Sequence, residues 1–162
     1  GLLRRLLGDQ IRTVSRKNLV KGRKFSEMLN DALTRYTNRS LTTAEIIAEL
    51  VSLAKDMRAD RERAQQLGLS DAEIALYDAI IQNDSAILEM GDETLKTIAR
   101  ELVATIRSSA TLDWTVKESV RARMRSRIKR LLAKYKYPPD KREQAVQLVI
   151  EQAEHLATGV QD

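Results

Sequence analysis

The chain has 162 residues, of which 43% are apolar and 31% charged, with 6 glycines, 2 prolines and no cysteine. This length supports a substantial hydrophobic core, and the scarcity of turn residues and aromatics favours helices over sheets. The lack of cysteine excludes disulfides, thiolate metal ligands and a cysteine nucleophile, and favours a reducing, cytoplasmic location. No apolar run approaches the roughly 20 residues that span a bilayer, so we expect no membrane association.

The first predicted helical region covers residues 2–37, where apolar side chains recur at helical spacing. Gly22 is a possible break, and the pattern fits either one kinked helix or two. Thr42 and Glu45 form a capping-box pair that opens the next helix, and Gly68 is placed to end it.

Further capping signals divide the rest of the chain. A second capping box opens a short helix, Asp92 is expected to cap the next, and a third box opens a helix that Pro138 stops. These two boxes are Ser70 with Glu73 and Thr115 with Glu118. Together with a last helix through Val146 and Val149, the sequence predicts an all-α fold. We expect one compact, bundle-like domain of six or seven helices over 1–162. We also expect the chain to be a fragment of a longer protein, because it begins at Gly1 and not at Met, already inside an amphipathic pattern.

The charges are segregated along the chain. Residues 1–24 carry eight basic and one acidic side chain, residues 117–136 carry nine and one, and residues 25–116 carry nine and sixteen. On a helix, the basic residues of the second segment form two stripes that flank an apolar edge. We predict that a partner binds these stripes, with Trp114 near the helix start as a further candidate. The stripes contain Arg121, Arg125 and Lys129 on one side and Arg123, Arg127, Arg130 and Lys134 on the other.

Three interpretations of this basic helix are open. The like charges repel one another at i,i+4 spacing, a cost that either DNA phosphates or an acidic protein face would offset. Alternatively, the two basic segments fold back onto the acidic helices of the same chain, with their aliphatic stems covering apolar surface.

Catalytic and ligand-binding motifs are missing from the sequence. The sparse glycines form neither a P-loop nor a dinucleotide-binding fingerprint, and the single histidine, His155, excludes a Ser-His-Asp triad and a histidine metal cluster. His155 is expected to be a partly exposed residue near a helix C-terminus. Pro139-Asp140 suggests a PD-(D/E)xK nuclease, but no acid-x-Lys follows it. We therefore predict no catalytic, cofactor-binding or metal-binding residues and no small-molecule substrate.

Four stretches carry a resemblance that extends over nearly all of 1–162, and the last of them is the most specific. They resemble the C-terminal helical domain of the restriction (motor) subunit of type I restriction–modification enzymes. The stretches are "RKFSEMLNDALTRYTNRSLTTAEIIAELVSLAKDMR", "LGLSDAEIALYDAI", "GDETLKTIARELV" and "LDWTVKESVRARMRSRIKRLLAKYKYPPDK". The resemblance implies a parent subunit with a nuclease and an ATP-driven DNA translocase, for which ATP and Mg²⁺ are the cofactors. Their motifs are absent here, so the expected enzyme activity belongs to the parent and not to this segment.

The resemblance also implies partners. In that family this region is expected to dock the motor onto the methyltransferase core of modification and specificity subunits, with DNA bound in the assembled complex. The alternative is a helical domain that contacts the DNA backbone directly and guides the duplex to the motor. The recognised DNA sequence belongs to another subunit in this family, so this segment does not reveal it.

Overall fold

The computed structural model describes residues 1–109 and 117–159, and the described part contains helices and no strands. The helices are α1 (Leu2–Lys17), α2 (Leu19–Thr37), α3 (Thr43–Gln66), α4 (Asp71–Ile80), α5 (Asp84–Met90), α6 (Asp92–Ser108), α7 (Lys117–Lys134) and α8 (Arg142–Gly159). A 3₁₀ turn at Pro139–Lys141 precedes α8. The all-α prediction is confirmed, but the described part of the chain contains eight α-helices and not six or seven. The additional helix is α5, whose 7 residues are too few to show a periodic apolar stripe.

The buried apolar side chains form two clusters. The N-terminal core lies between α1, α2 and α3 and includes Leu7, Phe25 and Met57. The C-terminal core lies between α4, α5, α6, α7 and α8 and includes Ile98 and Met124. Each cluster is built from the apolar faces of amphipathic helices, which must be buried against one another.

The break between the first two helices lies at Asn18 and not at Gly22. Asn18 has extended dihedrals, φ −139° and ψ 101°, and its Oδ1 accepts a hydrogen bond from the Lys21 amide at 3.0 Å. This is an N-cap contact, which asparagine makes well because its short side chain reaches the first free amides of a helix. Region 2–37 therefore forms two helices, and asparagine chemistry sets the boundary.

Gly22 instead lies inside α2, where it allows α1 to come close. A Cβ atom at this position would lie 2.8 Å from the Cα of Ser15 on α1. Because real Cβ atoms do not approach backbone this closely, glycine is required by the packing of α1 against α2.

Buried polar groups surround the α1–α2 break and join the two cores. Asn18 Nδ2 donates to Asp78 Oδ2 on α4 at 2.7 Å, and Lys21 lies 2.8 Å from Asp60 Oδ2 and 3.4 Å from Asp78 Oδ2. From α8, Gln152 accepts from the Leu19 amide at 2.7 Å and donates to the Lys17 carbonyl at 3.0 Å. We call Asn18, Lys21, Asp60, Asp78 and Gln152 the polar junction.

The capping predictions can be compared with the helix ends. The capping boxes of α3 and α4 are both present, and Gly68, with φ +71°, follows the end of α3 as predicted. The prediction for α6 was wrong, since Gly91 is its N-cap. Asp92 is the first helical residue, and its carboxylate accepts a hydrogen bond from the Tyr77 hydroxyl at 2.6 Å. Thr115 of the third predicted box lies outside the described residues.

Replacing Gly22 by alanine is expected to destabilise the fold. The new methyl group meets the backbone of Ser15, so overpacking of about 1–3 kcal/mol should outweigh the better helix propensity of alanine. Gly8→Ala is the matched control, because no atom lies within 4 Å of a Cβ there, and it should stabilise α1 by up to about 1 kcal/mol. Urea unfolding of both variants measures the two changes, and equal stabilisation by both would contradict the close approach.

The stability contributed by Asp78 is expected to fall as the pH rises. Burial raises the pKa of the Asp78 carboxyl, against the opposing effects of Lys21 and Asn18. A raised folded pKa means that the contribution is fully present below the unfolded pKa, about 3.9, and is lost as pH rises through the folded pKa. The unfolding free energy of the wild type minus that of Asp78→Asn should therefore be larger below the unfolded pKa of about 3.9 than at neutral pH. Urea titrations at several pH values measure this difference, and an increase would contradict the burial effect.

Candidate partner-binding helix

Helix α7 lies with its apolar edge in the C-terminal core and a basic stripe on each side. Val120, Met124 and Ile128 are buried, as the sequence pattern predicts. The next buried residue is Leu132, while Leu131 is only partly buried. Residues 120, 124, 128 and 132 are four apart, so they continue along one side of the helix.

The stripe formed by Arg121, Arg125 and Lys129 faces α8. Arg121 pairs with Glu154, Arg125 donates to Gln147 Oε1 at 3.0 Å and lies 3.5 Å from Glu143, and Lys129 lies 2.7 Å from Glu143. The hydrogen bond from Lys129 lowers the pKa of Glu143. These three cations therefore hold α7 against α8, as the fold-back interpretation predicts for this stripe.

The opposite stripe contains Arg123, Arg127, Arg130 and Lys134, and only part of it has internal partners. Arg127 Nη1 donates to Ser109 Oγ at 2.6 Å, and Lys134 lies 3.8 Å from Glu101. Arg123 and Arg130 are exposed, and no carboxylate of residues 1–109 or 117–157 lies within 4.0 Å of either guanidinium.

Arg123 and Arg130 are seven residues apart, which places them on one face about 10.5 Å apart along the helix axis. We call these two residues the free arginine pair. The other named candidate, Trp114, lies outside the described residues.

The segment after α7 fixes where this helix ends. Lys136 adopts a left-handed conformation, φ +60°, and the Tyr137 amide donates to the Leu132 carbonyl at 2.9 Å, as in a Schellman motif. Tyr137 is fully buried, its hydroxyl donates to the Ile80 carbonyl at 2.6 Å, and burial raises its pKa to about 12. The "KYKYPPDK" stretch of the resemblance therefore contributes a buried tyrosine to the C-terminal core, and the helix stops before Pro138 as predicted.

The first basic segment also divides into paired and unpaired cations. Lys17 lies 3.2 Å from Asp71, and Arg23 lies 2.8 Å from Glu151. Arg5 and Arg16 are exposed and have no carboxylate partner in the part of the chain that the structure describes. His155 is partly exposed near the end of α8, as predicted, and its Nε2 donates to the Ser15 carbonyl.

Sequence reasoning missed a set of exposed apolar side chains on α1 and α3. Leu2 and Leu6 of α1 and Ile47 and Val51 of α3 are all exposed. The available signal was the i,i+4 spacing of each pair on a side of its helix that lies outside the core stripe.

Among the described residues, no three His, Cys, Asp or Glu side chains are grouped so that they could hold a metal ion. No helix in the described part is both long and apolar enough to cross a membrane.

Comparison with known proteins identifies relatives of this chain. It is 44% identical over 155 residues to the type I restriction enzyme HindI endonuclease subunit of Haemophilus influenzae, covering 96% of this chain and 15% of that protein. It is 35% identical over 136 residues to the putative type I restriction enzyme MjaIXP endonuclease subunit of Methanocaldococcus jannaschii, covering 82% of this chain and 13% of that protein. No solved structure matches the chain.

The family described as type I restriction enzyme HindI endonuclease subunit-like, C-terminal, matches residues 1–159. The match covers nearly the whole chain and confirms the resemblance found in the sequence. The chain thus belongs to the family of C-terminal regions of type I restriction enzyme endonuclease subunits.

Proposed function

We propose that this domain docks the endonuclease subunit of a type I restriction enzyme onto its methyltransferase core. In this role it joins the ATP-dependent DNA translocase and nuclease of the parent subunit to the modification and specificity subunits, and it carries no catalysis itself. The free arginine pair on α7 is the candidate contact. The chain spans only 15% and 13% of the lengths of its two relatives, so the parent's activity and partners are part of the proposal.

The observation that carries the proposal is the exposure of Arg123 and Arg130 beside neighbours that have internal partners. Arg121, Arg125 and Lys129 pair with Glu143 and Glu154 of α8, so their charges are neutralised in part. Arg123 and Arg130 have no such partner within the described residues, so their guanidinium groups are available to another molecule. Arginine suits such a contact because its planar group binds carboxylates through two parallel hydrogen bonds.

Direct contact with the DNA backbone is the second candidate function, and the same arginines favour it. The surface of α7 offers fewer unpaired cations than its sequence suggests, because four of the seven candidate cations lie within 4.0 Å of a carboxylate. Arg127 contacts only a hydroxyl, so three arginines lack a carboxylate partner among the described residues, and three cations neutralise few phosphates, which weakens the case for DNA. An acidic protein face can pair with the free arginine pair through two carboxylates, so it does not require further cations on α7.

The first experiment is size-exclusion co-elution of the chain with its cognate modification and specificity subunits, without DNA and at moderate salt. A stable complex supports docking. Its stability should fall less steeply with salt than that of a DNA complex, because a contact through a few arginines releases few counterions. Failure to co-elute, together with binding to duplex DNA that weakens by about 0.9 log units per log unit of salt for each neutralised phosphate, would establish the DNA function instead.

Charge reversal of the free arginine pair should weaken this complex without unfolding the domain. Arg123→Glu with Arg130→Glu removes no internal ion pair of the described residues, so the unfolding free energy should change by less than about 0.5 kcal/mol. We expect affinity for the methyltransferase core to fall about tenfold or more, or ~1.4 kcal/mol. Calorimetric titration measures the affinity, and circular dichroism checks helicity.

The matched control is Arg100→Glu with Arg107→Glu on α6. These arginines are also exposed and seven residues apart, so the control makes the same change in net charge on a neighbouring helix. Near-normal affinity is expected for the control. If both double variants bind equally well, or lose affinity equally, the contact does not depend on the α7 pair.

A further inference from the structure

We infer that the seam between α1 and α3 is a second docking surface, which accepts an amphipathic helix with acidic flanks from a partner protein. This α1–α3 seam consists of Leu2, Leu6, Ile47 and Val51, with exposures of 70%, 49%, 52% and 40%. It lies on the N-terminal core, whereas the free arginine pair lies on α7 of the C-terminal core. The inference is therefore independent of the proposed contact through α7.

The seam residues lie on the sides of α1 and α3 that face each other. On α1, Leu2 and Leu6 continue along one stripe to Thr13 and Lys17, which line a groove between α1 and α3. On α3, Ile47 and Val51 continue along one stripe to Arg61, which lines the same groove.

The four apolar side chains also lie at the same level along the bundle. Helices α1 and α2 are joined through a single residue, and α2 and α3 through a short turn, so α1 and α3 run parallel. Residues 13–17 of α1 face residues 57–64 of α3 in the groove. Moving back about three turns along both helices brings Leu2 and Leu6 beside Ile47 and Val51.

The apolar content of this seam distinguishes it from ordinary surface. Single exposed leucines are common, but adjacent apolar residues on two neighbouring helices form a continuous patch of the kind that binds partners. Two parallel helices with i,i+4 apolar pairs form the walls of a groove for a third helix, whose apolar face covers both pairs.

The charges around the seam specify the partner. Arg58 and Arg61 lie in the α3 stripe beyond Val51, and Arg5 and Arg16 lie on the outer side of α1. Within residues 1–109 and 117–157, no carboxylate lies within 4.0 Å of these four guanidinium groups. The nearby exposed acids are fewer, namely Asp9, which pairs with Arg12, Asp71, which pairs with Lys17, and Glu62. A partner helix with Asp or Glu beside its apolar face would match both features.

The same charges disfavour two other occupants. A second copy of this chain, joined through a two-fold axis, would place the same cations against one another. DNA would neutralise the arginines but leave four apolar side chains against a polar backbone without burying them. These occupants are alternative outcomes of the experiment.

The test measures binding of the chain to synthetic helical peptides by fluorescence anisotropy. One labelled peptide carries leucines along one face and glutamates on the flanks, and its matched peptide has lysines in place of the glutamates. We expect the acidic peptide to bind about tenfold or more tightly than the basic one. Leu6→Ser with Ile47→Ser should reduce this binding about tenfold or more, since it removes the centre of the apolar patch.

The matched control is Ile87→Ser with Leu88→Ser. These two apolar residues are exposed on α5, a helix that packs against the C-terminal core through Ala86. The control should bind the acidic peptide normally. Absence of binding, equal binding of the two peptides, or equal binding of the two double variants would overturn the inference. Two further results would overturn it: binding of a short DNA duplex that the Leu6→Ser with Ile47→Ser variant weakens, or a dimer in sedimentation equilibrium that the same variant dissociates. Arg123→Glu with Arg130→Glu should leave peptide binding unchanged, which separates this surface from the proposed docking contact.

Discussion

The fold depends on how the chain satisfies its backbone where α1 stops and α2 begins. A helix end leaves amides and carbonyls without partners, and an uncompensated polar group in the interior costs several kcal/mol. Asn18 caps α2 and donates to Asp78, while Gln152 bonds to the Leu19 amide and the Lys17 carbonyl. Asp78 and Gln152 belong to α4 and α8, so the break forms correctly only when the C-terminal core lies against it.

The segregated charges also connect helices that lie far apart in the chain. The basic segments are neutralised in part by acids from distant helices, as in Lys21 with Asp60 and Lys129 with Glu143. An exposed pair such as Lys129 with Glu143 contributes little stability, typically about 0–1 kcal/mol, but it helps to fix which faces of two helices meet. The charge in the sequence therefore overstates the charge available to a partner, and the exposed arginines without partners are the better guide to binding surfaces.

The sequence predicts the local features of this fold well and the distant ones poorly. The capping boxes at Thr42 and Ser70 and the buried stripe of α7 follow from spacings of three or four residues. Asn18 is a local N-cap signal that was missed in favour of Gly22, whereas its hydrogen bond to Asp78, 60 residues away, follows from no local pattern. The division of the α7 arginines into paired and unpaired stripes likewise depends on α8, whose position no local pattern gives.

The polar junction also bears on the function, because it connects the two cores that carry the two candidate surfaces. Directional hydrogen bonds hold their partners at defined distances and angles, whereas apolar contacts alone allow helices to slide. The α1–α3 seam and the free arginine pair are therefore held in a fixed relation across Asn18, Asp78 and Gln152. Such a fixed relation would suit the docking role proposed above, since a domain that bends between its two surfaces would not hold two bound partners in one orientation.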